Sequence, residues 1–154
     1  MHDQHLELIG IALASCEHVI VAVTNPDRRA RHEEATSAHR HTESANPFTY
    51  YERSRLLTAA LAGAGWSGRT TVVPFDLTRP PVWPDYVPLD ARQFVRAYDG
   101  WERQKAAALE AAGYPVTVLH GDPATKRSAT DIRALLAGGA GWRDAVPGGV
   151  APVL

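Results

Sequence analysis

LELIGIALASCEHVIVAVT, from Leu6 to Thr24, is the stretch on which the fold turns. Its first half sets Leu6, Ile9, Leu13 and Cys16 at steps of three and four, which paints one face of a helix beginning near Asp3. Its second half, His18 to Thr24, is a short β-branched apolar run of the kind found in a strand buried on both faces. Helix followed at once by buried strand is the α/β rhythm, and the chain downstream repeats it.

Thr49 with Glu52 three residues on forms a capping box, which predicts a helix through Leu56, Leu57 and Leu61 to Gly63. Thr70 to Phe75 (TTVVPF) reads as the next strand. The proline-rich DLTRPPVWPDYVP that follows allows at most one helical turn. Gln93 to Tyr98 is a weaker strand, Glu102 to Ala112 an Ala-rich helix closed by Gly113, and Pro115 to Leu119 another strand. Thr130 to Leu136 closes the series as a helix whose start is marked by Ser128, Thr130 and Asp131. Residues 25–47 show no periodicity and read as a long loop over a site. The expected architecture is one α/β domain over residues 1–154, with a Rossmann-like parallel sheet and helices on both faces.

The composition supports a single globular domain, with 154 residues, 45% hydrophobic and 21% charged. Its 16 basic and 17 acidic residues leave a formal charge of −1, which argues against broad nucleic-acid binding because that mode neutralises many phosphates with clustered cations. Local phosphate binding stays open. Cys16 is the single cysteine and cannot form an internal disulfide, and no run approaches the roughly 20 apolar residues of a membrane helix. The start, MHDQHLE, lacks the basic and apolar regions of a secretory signal, so a cytoplasmic setting is expected. Nothing in the composition excludes a homo-oligomer.

Two clusters carry candidate chemistry. His2-Asp3-Gln4-His5 sits at the start of the first helix, where unsatisfied N–H groups and the dipole favour an anion, and two imidazoles add donors for phosphoryl oxygens. The spacing alone favours a solvated histidine pair. Lys126-Arg127-Ser128-Ala129-Thr130-Asp131-Ile132-Arg133 puts cations and hydroxyls around a helix N-terminus, the composition of a polyphosphate cradle or of an ordinary capped helix with surface cations. The histidines show no zinc spacing with cysteine, so no structural metal is assigned. Trp66, Trp101 and Trp142 read as packing residues, as does Cys16.

Together with Asn46-Pro47-Phe48-Thr49-Tyr50-Tyr51-Glu52-Arg53, Trp83, Trp142-Arg143-Asp144 and Val146-Pro147, these clusters stand in the order of the archaeal-type nicotinamide-nucleotide adenylyltransferases, which the chain resembles over nearly its whole length. The resemblance implies a nucleotidylyltransferase fold that moves a nucleotidyl group from a nucleoside triphosphate to a phosphate or phosphonate oxygen and releases pyrophosphate. It implies that His2 and His5 contact the triphosphate, that Ser128, Thr130 and Arg133 hold its β and γ groups beside Lys126 and Arg127, and that Trp83 stacks on the acceptor's base. Magnesium is expected only with the nucleotide. Arg53, in a first helical turn, is expected to support that turn rather than to touch substrate.

The chain also departs from that pattern. In the family a glycine-x-phenylalanine-x-proline strand, central in the sheet, precedes the histidines, whereas Met1 stands directly before His2, so the first strand is expected to be absent. Gln4 replaces the motif's glycine, Ala45 replaces a basic residue, His39, Arg40 and His41 lie in a lengthened loop, and Tyr98-Asp99-Gly100-Trp101 replaces a small polar turn. Three readings follow. The first is transfer of AMP from ATP to nicotinamide mononucleotide or another small phosphate-bearing acceptor. The second, motivated by the departures, is cytidylyl or other nucleotidyl transfer to a small phosphonate or phosphate ester. The third is a catalytically impaired nucleotide-binding protein.

Overall fold

The computed structural model describes residues 1–31, 42, 43, 45–126, 129–139 and 141–154. Along them run α1 (Asp3–Leu13), β1 (Val19–Thr24), α2 (Tyr50–Gly63), β2 (Thr70–Phe75), β3 (Gln93–Ala97), α3 (Gly100–Ala111), β4 (Val116–His120) and α4 (Ala129–Gly138). The fold is α/β, as the helix and strand periodicities require. β3 and β4 pair in parallel, in register from Gln93 against Val116 to Ala97 against His120. β1 pairs with β2 in a second two-stranded sheet. Among the described residues no strand joins the two pairs into the single sheet expected.

The chain divides into two compact units, one of Met1–Val23, Phe48–Val73 and Arg127–Leu154, the other of Thr24–Pro47 and Pro74–Lys126. In the first, Ile9 and Leu13 of α1 bury against Leu61 of α2, with Leu6, Val19, Val21, Trp66 and Val72 packed around them. A second cluster joins Leu56 and Ala60 of α2 to Trp142, Val146 and Val150 of the C-terminal segment, with Ile132 and Leu136 of α4 against it. Gly149 permits that docking, because a Cβ there would overlap the Ala59 carbonyl, which is backbone and cannot yield. Trp66 and Trp142 are thus packing residues.

The capping boxes set where two helices begin. Thr49 Oγ1 accepts from the Glu52 N–H at 3.2 Å while the Glu52 carboxylate accepts from the Thr49 N–H at 2.8 Å, so α2 opens where the sequence places it. α3 begins two residues earlier than the apolar pattern indicates, because Asp99 and Glu102 form a second capping box of the same design. Past the end of this helix, Gly113 takes the left-handed conformation (φ 95°). The proline-rich connection holds a six-residue 3-10 helix, Pro80–Asp85, longer than the single turn expected. Three of its six residues are prolines without an N–H, and the non-proline donors Val82 and Tyr86 bond to Arg79 and Trp83 carbonyls at 3.1 Å each.

α1 stops at Leu13, short of the expected Cys16, and the reason is tertiary. Arg69 donates from Nη2 to the Leu13 and Cys16 carbonyls at 2.8 and 2.7 Å and from Nε to the Glu17 carbonyl at 3.0 Å. One guanidinium thereby satisfies carbonyls that a helix end leaves open and turns the chain into β1. Arg69→Ala is expected to destabilise the protein by about 2 kcal/mol, the scale of charge-assisted hydrogen bonds lost to three carbonyls. Urea unfolding measures this, and an unchanged midpoint would refute the role.

Candidate active site

The first turn of α1 carries the histidine pair. His2 is the N-cap residue, with extended backbone (φ −136°, ψ 173°), and its carbonyl accepts from the His5 N–H at 3.0 Å. That spacing stacks the two imidazoles on one side of the helix, their centroids 4.0 Å apart and their planes tilted by 39°. His2 is buried at 5% exposure, whereas His5 is exposed.

Met1 ties this turn to α4 and to α2. Its side chain packs into both apolar clusters of the first unit, beside Ile132 and Leu136. Its amine is held below its ordinary pKa, first by burial and then by the guanidinium charges of Arg133 and Arg53. Two arginines from different helices therefore act on the same point, directly beside His2. Arg133 is half-buried, and burial pulls its pKa down. Its Nη2 donates to Thr130 Oγ1 at 2.9 Å, one turn back on α4. Arg53 extends from the first turn of α2, which the Thr49 capping box fixes. It also acts on Tyr50, whose phenol is raised by burial and partly lowered by the Arg53 charge.

The first unit thus places His5 against His2 and Thr130 against Arg133, with the charges of Arg53 and Arg133 both acting on the Met1 amine. Arg53, expected to support its own helical turn rather than to touch substrate, also exerts its charge on the Met1 amine. The asparagine-proline-phenylalanine-threonine run that positions α2 was visible in the sequence, but the direction of the arginine depends on what α2 packs against. Guanidinium groups and imidazoles are donor types that phosphoryl oxygens accept from. A separate cleft of about 240 Å³ in the same unit is lined by Tyr50, Ser54, Thr58, Leu61, Ser67, Thr70 and Val72. It offers hydroxyls and no cation, so the arginine and histidine cluster is the better candidate for a polyphosphate.

The other expected residues stand differently. Arg127 and Ser128 lie outside the described residues, as do His39, Arg40 and His41. Lys126 belongs to the second unit, and its Nζ lies 2.8 Å from Asp99 Oδ2 and 2.9 Å from Glu102 Oε1, so its charge is already answered by carboxylates. Trp83, expected on a pocket wall, is a core residue at 1% exposure. Its indole stacks on Phe75 at 5.3 Å, meets Tyr114 at 6.3 Å and donates from Nε1 to the Asp76 carbonyl at 2.7 Å. A base cannot stack on a ring so enclosed without displacing the core.

No family model matches the chain. The phosphonoformate cytidylyltransferase of Streptomyces viridochromogenes is 35% identical to it over 155 residues, an alignment that spans the whole of this chain and 84% of that protein. The chain belongs to this family of nucleotidyltransferases. Nucleotidyl transfer, the reaction class implied by the histidine and Arg133 motifs, is therefore the family's chemistry, while the link to nicotinamide-nucleotide adenylyltransferases holds only at the level of the superfamily. Among the described residues of this nucleotidyltransferase no helix is long and apolar enough to cross a membrane.

Two outcomes are expected. Arg53→Ala and Arg133→Ala should each weaken triphosphate binding about tenfold by calorimetry, the scale of one charge-assisted hydrogen bond, and unchanged affinity in both would refute the cluster. Trp83→Phe should cost about 1 kcal/mol of stability through the lost indole hydrogen bond, with the acceptor KM unchanged. A raised KM at unaltered stability would instead restore the stacking role.

Proposed function

We propose that the chain transfers a cytidylyl group from CTP to a small phosphonate, of which phosphonoformate is the first to test. The observation that carries this reading is the 35% identity, over the whole of the given sequence, to a phosphonoformate cytidylyltransferase. It favours the second of the three readings over AMP transfer from ATP to nicotinamide mononucleotide. An oxygen of the acceptor forms a bond to the α-phosphorus, the bond from that phosphorus to the α–β bridging oxygen breaks, and pyrophosphate departs with the electron pair. The acceptor is already anionic, so the protein need supply only position and charge stabilisation.

On this reading Arg133 and Arg53 hold the β and γ phosphates, Thr130 steadies Arg133, and His5 with His2 donates to oxygens on which charge builds as pyrophosphate leaves. Arg127 and Ser128 stay in the proposed set on their motif alone. Magnesium would come with the nucleotide and would supply neutralisation of its phosphate charge. The described residues gather no cluster of three His, Cys, Asp or Glu side chains to hold the ion, and no step here runs through it.

Pyrophosphate release, measured with CTP, ATP, GTP and UTP against phosphonoformate and nicotinamide mononucleotide, tests the proposal. Turnover is expected with CTP and phosphonoformate, and His5→Ala should lower its kcat about a hundredfold with the fold intact by circular dichroism. Exclusive use of ATP with nicotinamide mononucleotide would return the assignment to adenylyl transfer. Binding of CTP with no turnover on any acceptor would favour an impaired nucleotide-binding protein.

A further inference from the structure

The cleft of about 240 Å³ in the first unit has no part in the phosphate chemistry. Two elements wall it. Tyr50, Ser54 and Thr58 recur every four residues along α2 and so share one face of that helix, while Thr70 and Val72 stand two apart on β2 and so share one side of the strand. Leu61, at 2% exposure, and Val72 give the cleft an apolar floor that belongs to the cluster α1 forms with α2. The whole lining falls within Phe48–Val73, a single stretch of the first unit.

The lining restricts what can bind. It holds neither a cation nor a carboxylate, so it has no partner for a phosphate, a phosphonate, an ammonium group or a metal ion. It offers neutral hydrogen bonding, and part of that has a fixed direction. Ser54 Oγ donates to the Tyr51 carbonyl at 3.0 Å and Thr70 Oγ1 to the Trp66 carbonyl at 2.9 Å. Each hydroxyl hydrogen is thereby committed to backbone, and the oxygen lone pairs are what face a ligand. The complementary groups are donors, such as sugar hydroxyls or a ring amino group. The volume suits an uncharged fragment of that kind rather than a whole nucleotide.

One end of the cleft meets charge. Tyr50 precedes Arg53 by three residues on α2, and the Arg53 charge acts on the Tyr50 phenol as well as on the Met1 amine beside His2. A molecule neutral and hydroxylated at one end and anionic at the other matches the two together. We propose that the cleft between α2 and β2 takes the nucleoside half of the nucleoside triphosphate, with its hydroxyl or amino groups donating to Ser54 and Thr70 and its phosphates directed toward Arg53. The assignment rests on the nucleotidyl-transfer reading and adds the part of the substrate that the histidines and arginines do not address.

Calorimetry with CTP, cytidine and inorganic tripolyphosphate tests it, because the last two probes separate the halves of the first. S54A/T70V removes the two acceptor oxygens while keeping a good helix former in α2 and a β-branched shape in β2. T58F obstructs the cleft from an exposed helix position. Both variants should bind cytidine and CTP about tenfold more weakly, the scale of one or two neutral hydrogen bonds, with tripolyphosphate affinity changed less than about twofold. Arg133→Ala should do the reverse, weakening tripolyphosphate and sparing cytidine.

Unaltered cytidine affinity in both cleft variants would overturn the proposal, as would a wild-type affinity for CTP no greater than for tripolyphosphate. Loss of tripolyphosphate in step with cytidine would also overturn it, since the cleft would then not be selective for the nucleoside. If the wild-type protein transfers nothing to any acceptor, the transfer reading fails and the cytidine measurements still decide the cleft: weaker binding in T58F supports it and equal binding refutes it.

Discussion

The packing of the partly buried Met1 against two apolar clusters is the interaction that joins the parts of the first unit. This side chain packs into both apolar clusters, one built by α1 and α2 and the other by α2 and the C-terminal segment with α4 beside it. Each methylene removed from water contributes about 0.8 kcal/mol, so the packing is favourable by itself. Its consequence is electrostatic. Seating Met1 there brings the histidine turn of α1 within reach of Arg53 and Arg133, which lie far apart in the chain.

The second unit puts its polar and aromatic groups to other uses. Trp83 fills the core between Phe75 and Tyr114, and the Tyr114 hydroxyl donates to the Val87 carbonyl at 2.9 Å, so the aromatic group is tied by hydrogen bonds as well as by packing. Lys126 is tied to Asp99 and Glu102. Both residues stand at positions where the family resemblance suggests ligand contacts, and in both the local partners account for the side chain. The family relation to a phosphonoformate cytidylyltransferase is compatible with this, since it fixes the reaction class while leaving the acceptor side free to differ.

Much of the fold was legible before any coordinates. The Thr49–Glu52 capping box and the β-branched runs at Val19–Thr24, Thr70–Phe75 and Val116–His120 each rest on interactions within a few residues, and these elements stand within a residue or two of their expected bounds. The Asp99–Glu102 box carries the same local signal, two residues ahead of the Ala-rich run that follows it. The end of α1 was not legible, because it is set by Arg69, which is more than fifty residues away in the chain. The same limit explains the candidate site. His2, His5, Thr130 and Arg133 could be named from their motifs, whereas Arg53 could be named only as a helix residue until its neighbours were known.

By itself the sequence determined the alternation of helix and strand and the residue types fit for phosphate, because capping, periodicity and charge act over one or two turns of chain. Tertiary structure alone decided which of those groups share a place. It brought the charges of Arg53 and Arg133 to bear on the Met1 amine, enclosed Trp83 and gave Lys126 to two carboxylates, because proximity between distant residues follows from how apolar surfaces pack, and packing is not encoded at any single position.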